Sequence, residues 1–272
     1  MSAGGYQSLR LERRGPVVRV VLSRAHARNA FDEVLIEELT RGFRGLAESP
    51  EVRVVVLSGD GPSFCAGADI AWMRRAGDYS RAENEADAER MAQMLRSIDT
   101  SPRPVIALAH GAAIGGGVGL LAAADIAIAA EGTVFSLAEV KLGILPSVIS
   151  PYVLRAIGPR AARDLFLTGD RFDALEARRI GLIHEVVPPA DLEAAGRRRI
   201  ASLLTSGPEA VGVAKRLIEQ VTGKSPEEAM PLTVRTIAER RASEEAKEGL
   251  TAFLEKRRPS WAFEIEASEP EE

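Results

Sequence analysis

The stretch from residue 112 to residue 130, AAIGGGVGLLAAADIAIAA, constrains the fold more than any other part of the sequence. It is almost wholly apolar or small, yet it holds three consecutive glycines and one carboxylate, Asp125. A membrane-spanning helix would have to hide that charge in hydrocarbon and tolerate the glycines, whereas a turn, a short buried helix and a short strand accommodate both. The residues favour buried soluble structure, with a helix over about 116–124 between strands at Val105–Ala109 and Asp125–Ala129. Strands joined through a helix imply a crossover, and so a layered α/β core. Asp125, at a strand start, is expected to accept from backbone donors there.

The rest of the N-terminal half alternates in the same way. Val17–Leu22 reads as a strand, Asp32–Ala47 as a helix with Ile36, Leu39, Phe43 and Leu46 on one face, and Val52–Leu57 as a second apolar strand. The polar segment Asp78–Arg96 reads as a mobile loop leading into an amphipathic helix that carries Met91, Met94 and Leu95. After about residue 146 strand signals fade and helices dominate, with a capping box at Ser225–Glu228 and a last helix near Glu248–Lys256. The expected organisation is a core over residues 1–200 followed by a helical region over 201–272 that ends in a short acidic tail, EASEPEE, of disorder-prone composition.

Composition narrows the class. A chain of 272 residues, 46% hydrophobic and 27% charged, buries a large core and sits at the upper end of single-domain size. A net charge of −4 gives no general attraction for polyanions, so nucleic acid is not an expected partner despite the local cluster Arg197–Arg199. The lone cysteine, Cys65, excludes an intrachain disulfide and a Cys-based zinc cluster, which suits a reducing compartment. The first residues, MSAGGYQSLRLERRGP, lack the apolar core of a secretory signal, and a cytoplasmic location is expected.

Two glycine-rich loops carry the candidate chemistry. Ser63–Asp69 (SFCAGAD) runs from a strand and turn into the helical pattern IAWMRR, so its small residues bring bare backbone N–H groups to a helix N-terminus, where oxygen anions bind. Ile114–Gly117 also lies between a strand and a helix and lets a ligand approach the main chain. Two such loops are able to form an oxyanion hole. There is no phosphate-binding G-x-G-x-x-G or P-loop in the required context, and no G-x-S-x-G nucleophile elbow. Cys65 is expected to be a small buried filler, Trp72 and Met73 pocket wall or core, and His110 a hydrogen-bonded strand-end residue.

The segments RNAF (Arg28–Phe31), FCAGAD (Phe64–Asp69), HGAAIGGGVGL (His110–Leu120), AEVKLGILP (Ala138–Pro146) and LTGDRF (Leu167–Phe172) occur in the order in which the enoyl-CoA hydratase/isomerase, or crotonase, family has them, and the chain resembles that family over about residues 8–262. The resemblance implies an α/β spiral of strand-strand-helix repeats, with C-terminal helices that build a homotrimer or a dimer of trimers. It implies an acyl-CoA thioester as substrate and no separate cofactor, coenzyme A entering with the substrate. A narrower likeness, in GADIAWMRR, DYSRAENEADAERMAQML and FSLAEVKLGILPSVISPYVLRAIG, is to bacterial 3-methylglutaconyl-CoA hydratases and their isohexenylglutaconyl-CoA relatives, enzymes of leucine and acyclic terpene catabolism.

Carried over by position, the resemblance places the oxyanion hole on the N–H groups of Ala66 and Gly116 and the acid/base on Glu139. It places coenzyme A near Arg24, Arg28, Ala66, Ala68, Asp69, Ile70 and Gly116, with Lys256 from a neighbouring subunit. Family hydratases commonly carry a second glutamate in the helix after the glycine loop, and here Gly119 stands at that position. Hydration of a 2-enoyl-CoA is therefore expected, beside two alternatives: a 3-enoyl/2-enoyl-CoA isomerase that uses Glu139 alone, and a non-catalytic homologue that binds coenzyme A or RNA. Arg74 or Arg75 is a candidate partner for a second substrate carboxylate, or a solvent-facing charge.

Overall fold

The computed structural model describes residues 5–263, so the EASEPEE tail lies outside the described residues. In chain order the elements are β1 (Leu9–Arg14), β2 (Val17–Leu22), α1 (Glu33–Ala47), β3 (Val54–Gly59), α2 (Ile70–Ala76), α3 (Arg81–Asp99), β4 (Val105–Ala109), β5 (Ala112–Ile114), α4 (Gly116–Ala123), β6 (Ile126–Ala130) and β7 (Val134–Ser136). There follow α5 (Ser150–Thr168), β8 (Arg171–Phe172), α6 (Ala174–Arg179), β9 (Glu185–Val187), α7 (Leu192–Leu204), α8 (Pro208–Val221), α9 (Pro226–Ala242) and α10 (Glu244–Leu254). A six-stranded sheet runs β1-β2-β3-β4-β6-β9, and a small sheet runs β5-β7-β8. Only β1 is antiparallel to its neighbour in the large sheet.

The unbroken apolar runs of β3 and β4 follow from burial on both faces of a parallel sheet. Val55 and Leu57 belong to one cluster, with Leu39 and Phe43 of α1 and Leu95 of α3, while Val54 and Val56 belong to a second cluster with Leu192, Ala195 and Leu204 of α7. Each fully buried Leu or Phe contributes about 1.5–3 kcal/mol. The helix α1 starts one residue after the expected position because Asp32 is its cap, accepting from Leu35 N–H.

Three expectations need correction. Asp78–Arg96 is not a loop for most of its length: α3 starts at Arg81 behind a full capping box, Ser80 with Glu83, which ties down the orphan N–H groups of its first turn. Apart from Asp87, which is buried, its charged N-terminal half faces solvent while Met94, Leu95 and Ile98 are buried, so polarity there marks an exposed helix face. Helices do dominate after residue 146, but two short strands whose signals fade there, β8 and β9, are added; β9 is a three-residue edge strand beside β6, too short for a periodicity to register. The last helix is α10, capped by Ser243, and Lys256 lies beyond it with φ 55°. Among the described residues no helix is long and apolar enough to cross a membrane.

The helix α7 belongs under the sheet, so the C-terminal helical layer starts with α8. Lys215 of α8 reaches Asp125 at 2.8 Å, and the same Asp125 Oδ2 accepts from Val105 N–H at 2.7 Å, as the strand-start position suggested. Removing the cation leaves a largely buried carboxylate with a backbone partner alone. Lys215→Met is therefore expected to destabilise the chain by about 2 kcal/mol or more, and a denaturant midpoint unchanged from the parent would show the pair to be dispensable.

Candidate active site

The loop after β3 is held by neighbours on both sides. Asn29, fully buried, donates through Nδ2 to Asp60 O and Ser63 O, both at 2.8 Å. Cys65 N–H donates to Ala112 O and Ile114 N–H to Cys65 O, pairing the loop with β5. On its other side Phe31 N–H donates to Gly67 O and Asp69 N–H to Phe31 O. Gly67 has φ 89°, and a Cβ there would stand 2.9 Å from Ile114 O, so glycine is required by conformation and by space.

This pairing corrects the expected oxyanion hole. Ala66 N–H is spent on Arg28 O at 2.9 Å and is not available to a ligand. Among the described residues the N–H of Ala68 has no partner within the chain, and neither has that of Gly116, the first residue of α4, where helical geometry leaves N–H groups unpaired. The Phe31 backbone flanks Ala68 while its ring lies against Gly116, where a Cβ would meet Phe31 Cε2 at 2.6 Å and Met91 Cε at 3.0 Å. The two free donors, Ala68 and Gly116, thus lie on either side of Phe31.

Glu139 enters from a 3-10 turn, Ala138–Leu142, that follows β7. Pairing of β7 with β5, continued by Gly115 N–H to Ser136 O at 2.8 Å, brings it to the glycine loop. A Cβ on Gly115 would stand 2.8 Å from Glu139 Oε1, so only a glycine there leaves the carboxyl room. Glu139 Oε2 is buried without a hydrogen-bond partner. Burial raises the carboxyl above the ordinary glutamate range, and its own backbone N–H offsets part of that. A carboxyl raised in the folded state stabilises the fold most when protonated, below its unfolded pKa, and that stability is lost as pH rises through the folded value. Glu139→Gln is thus expected to raise Tm at neutral pH, with the gain fading toward about pH 4. A constant Tm difference across that window would mean the carboxyl is solvated.

The other candidate residues serve differently. The Arg24 guanidinium contacts Ala30 O, Asp32 at 2.8 Å and Asp69 at 3.2 Å, so its charge is already matched inside the chain. Asp69 caps α2, accepting from Ala71 and Trp72 N–H. Arg28, Ile70 and Lys256 are exposed, Ile70 at 80%. Arg75 pairs with Glu33 at 2.7 Å, and Arg74 is exposed. Cys65 is fully buried and burial pushes its thiol up to about 12, which accords with a filler. His110 Nε2 lies 2.8 Å from Gly61 O, while Trp72 is buried with its indole N–H unpartnered. Among the described residues no three His, Cys, Asp or Glu converge as metal ligands.

Sequence reading did not single out Asn29 or Ile149, and gave Met91 only as an apolar residue of an amphipathic helix. Asn29 sits in the quoted RNAF segment between Arg28 and Ala30, and nothing in that pattern marks it as buried. Ile149 matters because a Cβ on Gly119 would stand 2.4 Å from its Cγ2, so the place without a second glutamate is filled by hydrocarbon.

A largely parallel sheet with a second small sheet and a C-terminal layer of helices is the architecture of crotonase-fold proteins. Residues 12–264 match the enoyl-CoA hydratase/isomerase family, and the chain belongs to that family. An enoyl-CoA hydratase from Shewanella pealeana superposes with a TM-score of 0.91 at 41% identity, over 94% of this chain and 96% of that one. The crotonyl-CoA hydratase of Syntrophomonas wolfei is 31% identical over 94% of this chain and 98% of its own length. The carnitinyl-CoA dehydratase of Salmonella arizonae is 34% identical over the same shares.

Proposed function

We propose that this chain hydrates a 2-enoyl-CoA thioester. The observation that carries the reading is the pair of free N–H groups, Ala68 and Gly116, with a partly buried Glu139 whose Oε2 is buried and unpartnered. The thioester oxygen accepts from both donors. Glu139, as carboxylate, takes a proton from water while the water oxygen bonds to C3. The electrons of the double bond move to the thioester oxygen, where the two N–H groups stabilise the enolate. Glu139 then gives the proton to C2, which returns the carboxylate and closes the cycle with one water added across the double bond. Relatives named for adding or removing water support this direction of chemistry.

Coenzyme A, which enters as part of the substrate, lies in this reading along the exposed Arg28 and Ile70 beside Ala66 and Ala68, with Lys256 supplied by a neighbouring copy. The chain assembles as a homotrimer or a dimer of trimers through its C-terminal helices, where Val234, Leu250, Phe253 and Leu254 are exposed apolar residues. Light scattering that shows a monomer at micromolar concentration would count against this assembly. The acyl group is a 3-methylglutaconyl or related branched glutaconyl group, and the enzyme works in the cytoplasm. The second reading, an isomerase that shuttles one proton between carbons, is favoured by a single feature, the hydrocarbon over Gly119. Assay of a panel of 2-enoyl, 3-enoyl and glutaconyl thioesters in labelled water separates the two: hydration places the label oxygen on C3, whereas isomerisation adds none.

A further inference from the structure

Gly119 stands one turn along α4 from Gly116, and its N–H closes that turn on Gly115 O at 3.1 Å. Residues one turn apart share a helix face. On that face Gly115 makes room for Glu139 and Gly116 for Phe31 and Met91. At Gly119 the space is occupied, a Cβ there meeting Ile149 Cγ2 at 2.4 Å, Ile149 Cβ at 3.0 Å and Leu95 Cδ2 at 3.6 Å. Ile149 is 2% exposed and lies where the chain enters α5, with its backbone carbonyl accepting from Tyr152 and Val153. A β-branched side chain packed in this way has no free rotamer by which to swing aside.

We propose that Ile149 is a specificity-determining residue: its side chain takes the place that a functional side chain on residue 119 would need, and so confines proton transfer to Glu139. This rests on Glu139 being the proton carrier. The wall it forms with Leu95 is hydrocarbon, which keeps a second ionisable group away from the acyl carbons. A carboxyl introduced at 119 has room only if residue 149 is cut back, and it then titrates together with Glu139, because two carboxyl groups this close do not ionise independently.

The test compares Gly119→Glu, Ile149→Gly and the two combined. Gly119→Glu alone is expected to lower Tm by several degrees or to prevent folding, and Ile149→Gly in the same chain to recover part of that loss. In the combined variant the acid limb of the rate profile should move to higher pH and broaden, while Ile149→Gly alone keeps the parental limb. A Gly119→Glu protein as stable as the parent would show that Ile149 does not occupy the space. A combined variant that folds, binds thioester and has the parental pH limb would show that residue 119 does not face the chemistry. If the combined variant fails to fold, Gly119→Ala, Ile149→Ala and their pair decide by Tm: coupled effects support the contact, and additive effects overturn it. Failure of the Glu139 reading itself shows separately, as turnover retained in Glu139→Gln.

Discussion

Glu139→Gln is expected to bind acyl-CoA thioesters with near-parental affinity and to lose turnover by a factor of about 10² or more. The amide keeps the shape of the carboxyl beside Gly115 and keeps an oxygen where Oε1 stands, but it neither accepts a proton from water nor returns one to carbon. A fall in kcat with an unchanged dissociation constant for a product analogue is the signature. In the parent the acid limb of kcat should lie above the ordinary glutamate range, because burial raises the group and the rate falls as pH drops through that raised value. Glu139→Gln with parental kcat would remove the proposed mechanism altogether.

The second large effect concerns the main chain. Replacing Ala68 N–H by an ester oxygen removes one donor without adding a side chain, and kcat is expected to fall by about 10²–10³. The same replacement at Ala66 removes its hydrogen bond to Arg28 O and is expected to lower Tm with a smaller effect on kcat. If the two positions respond in the opposite order, the oxyanion hole lies on Ala66 after all. A proline is a poorer probe at Gly116, because ring atoms would enter the space of Phe31 and Met91.

Much of the core was legible from residue patterns. Val17–Leu22 and Val105–Ala109 are strands with the expected ends, because short apolar runs bounded by turn residues have few alternatives inside a protein. The edge strand β1, LRLERR, was not legible, since its exposed charges mask the alternation. In α3 the polar run reads as a loop leading into a helix, although Ser80 and Glu83 spell the helix start at Arg81. Of the site, the two glycine loops and Glu139 were visible as places. Which N–H groups are free was not visible, because that depends on Arg28 O reaching Ala66 across 38 residues of chain. Ile149 was hidden for a similar reason: its neighbour Gly119 is 30 residues away, and only packing brings the two together.

Because α3 is one continuous helix, the Met91 side of the glycine loop is a beam rather than a flap. Long helices bend gently and have no hinge without a proline, a glycine pair or a bulge, and α3 contains neither proline nor glycine. In the proposed reading, acyl groups of different girth are then accommodated by rotation about the three torsions of the Met91 thioether side chain, a compliance that costs little. A new acyl preference would accordingly arise, in the same reading, by exchanging Met91 on this beam, while Met94 and Leu95 stay in the core, and not by lengthening or loosening a loop.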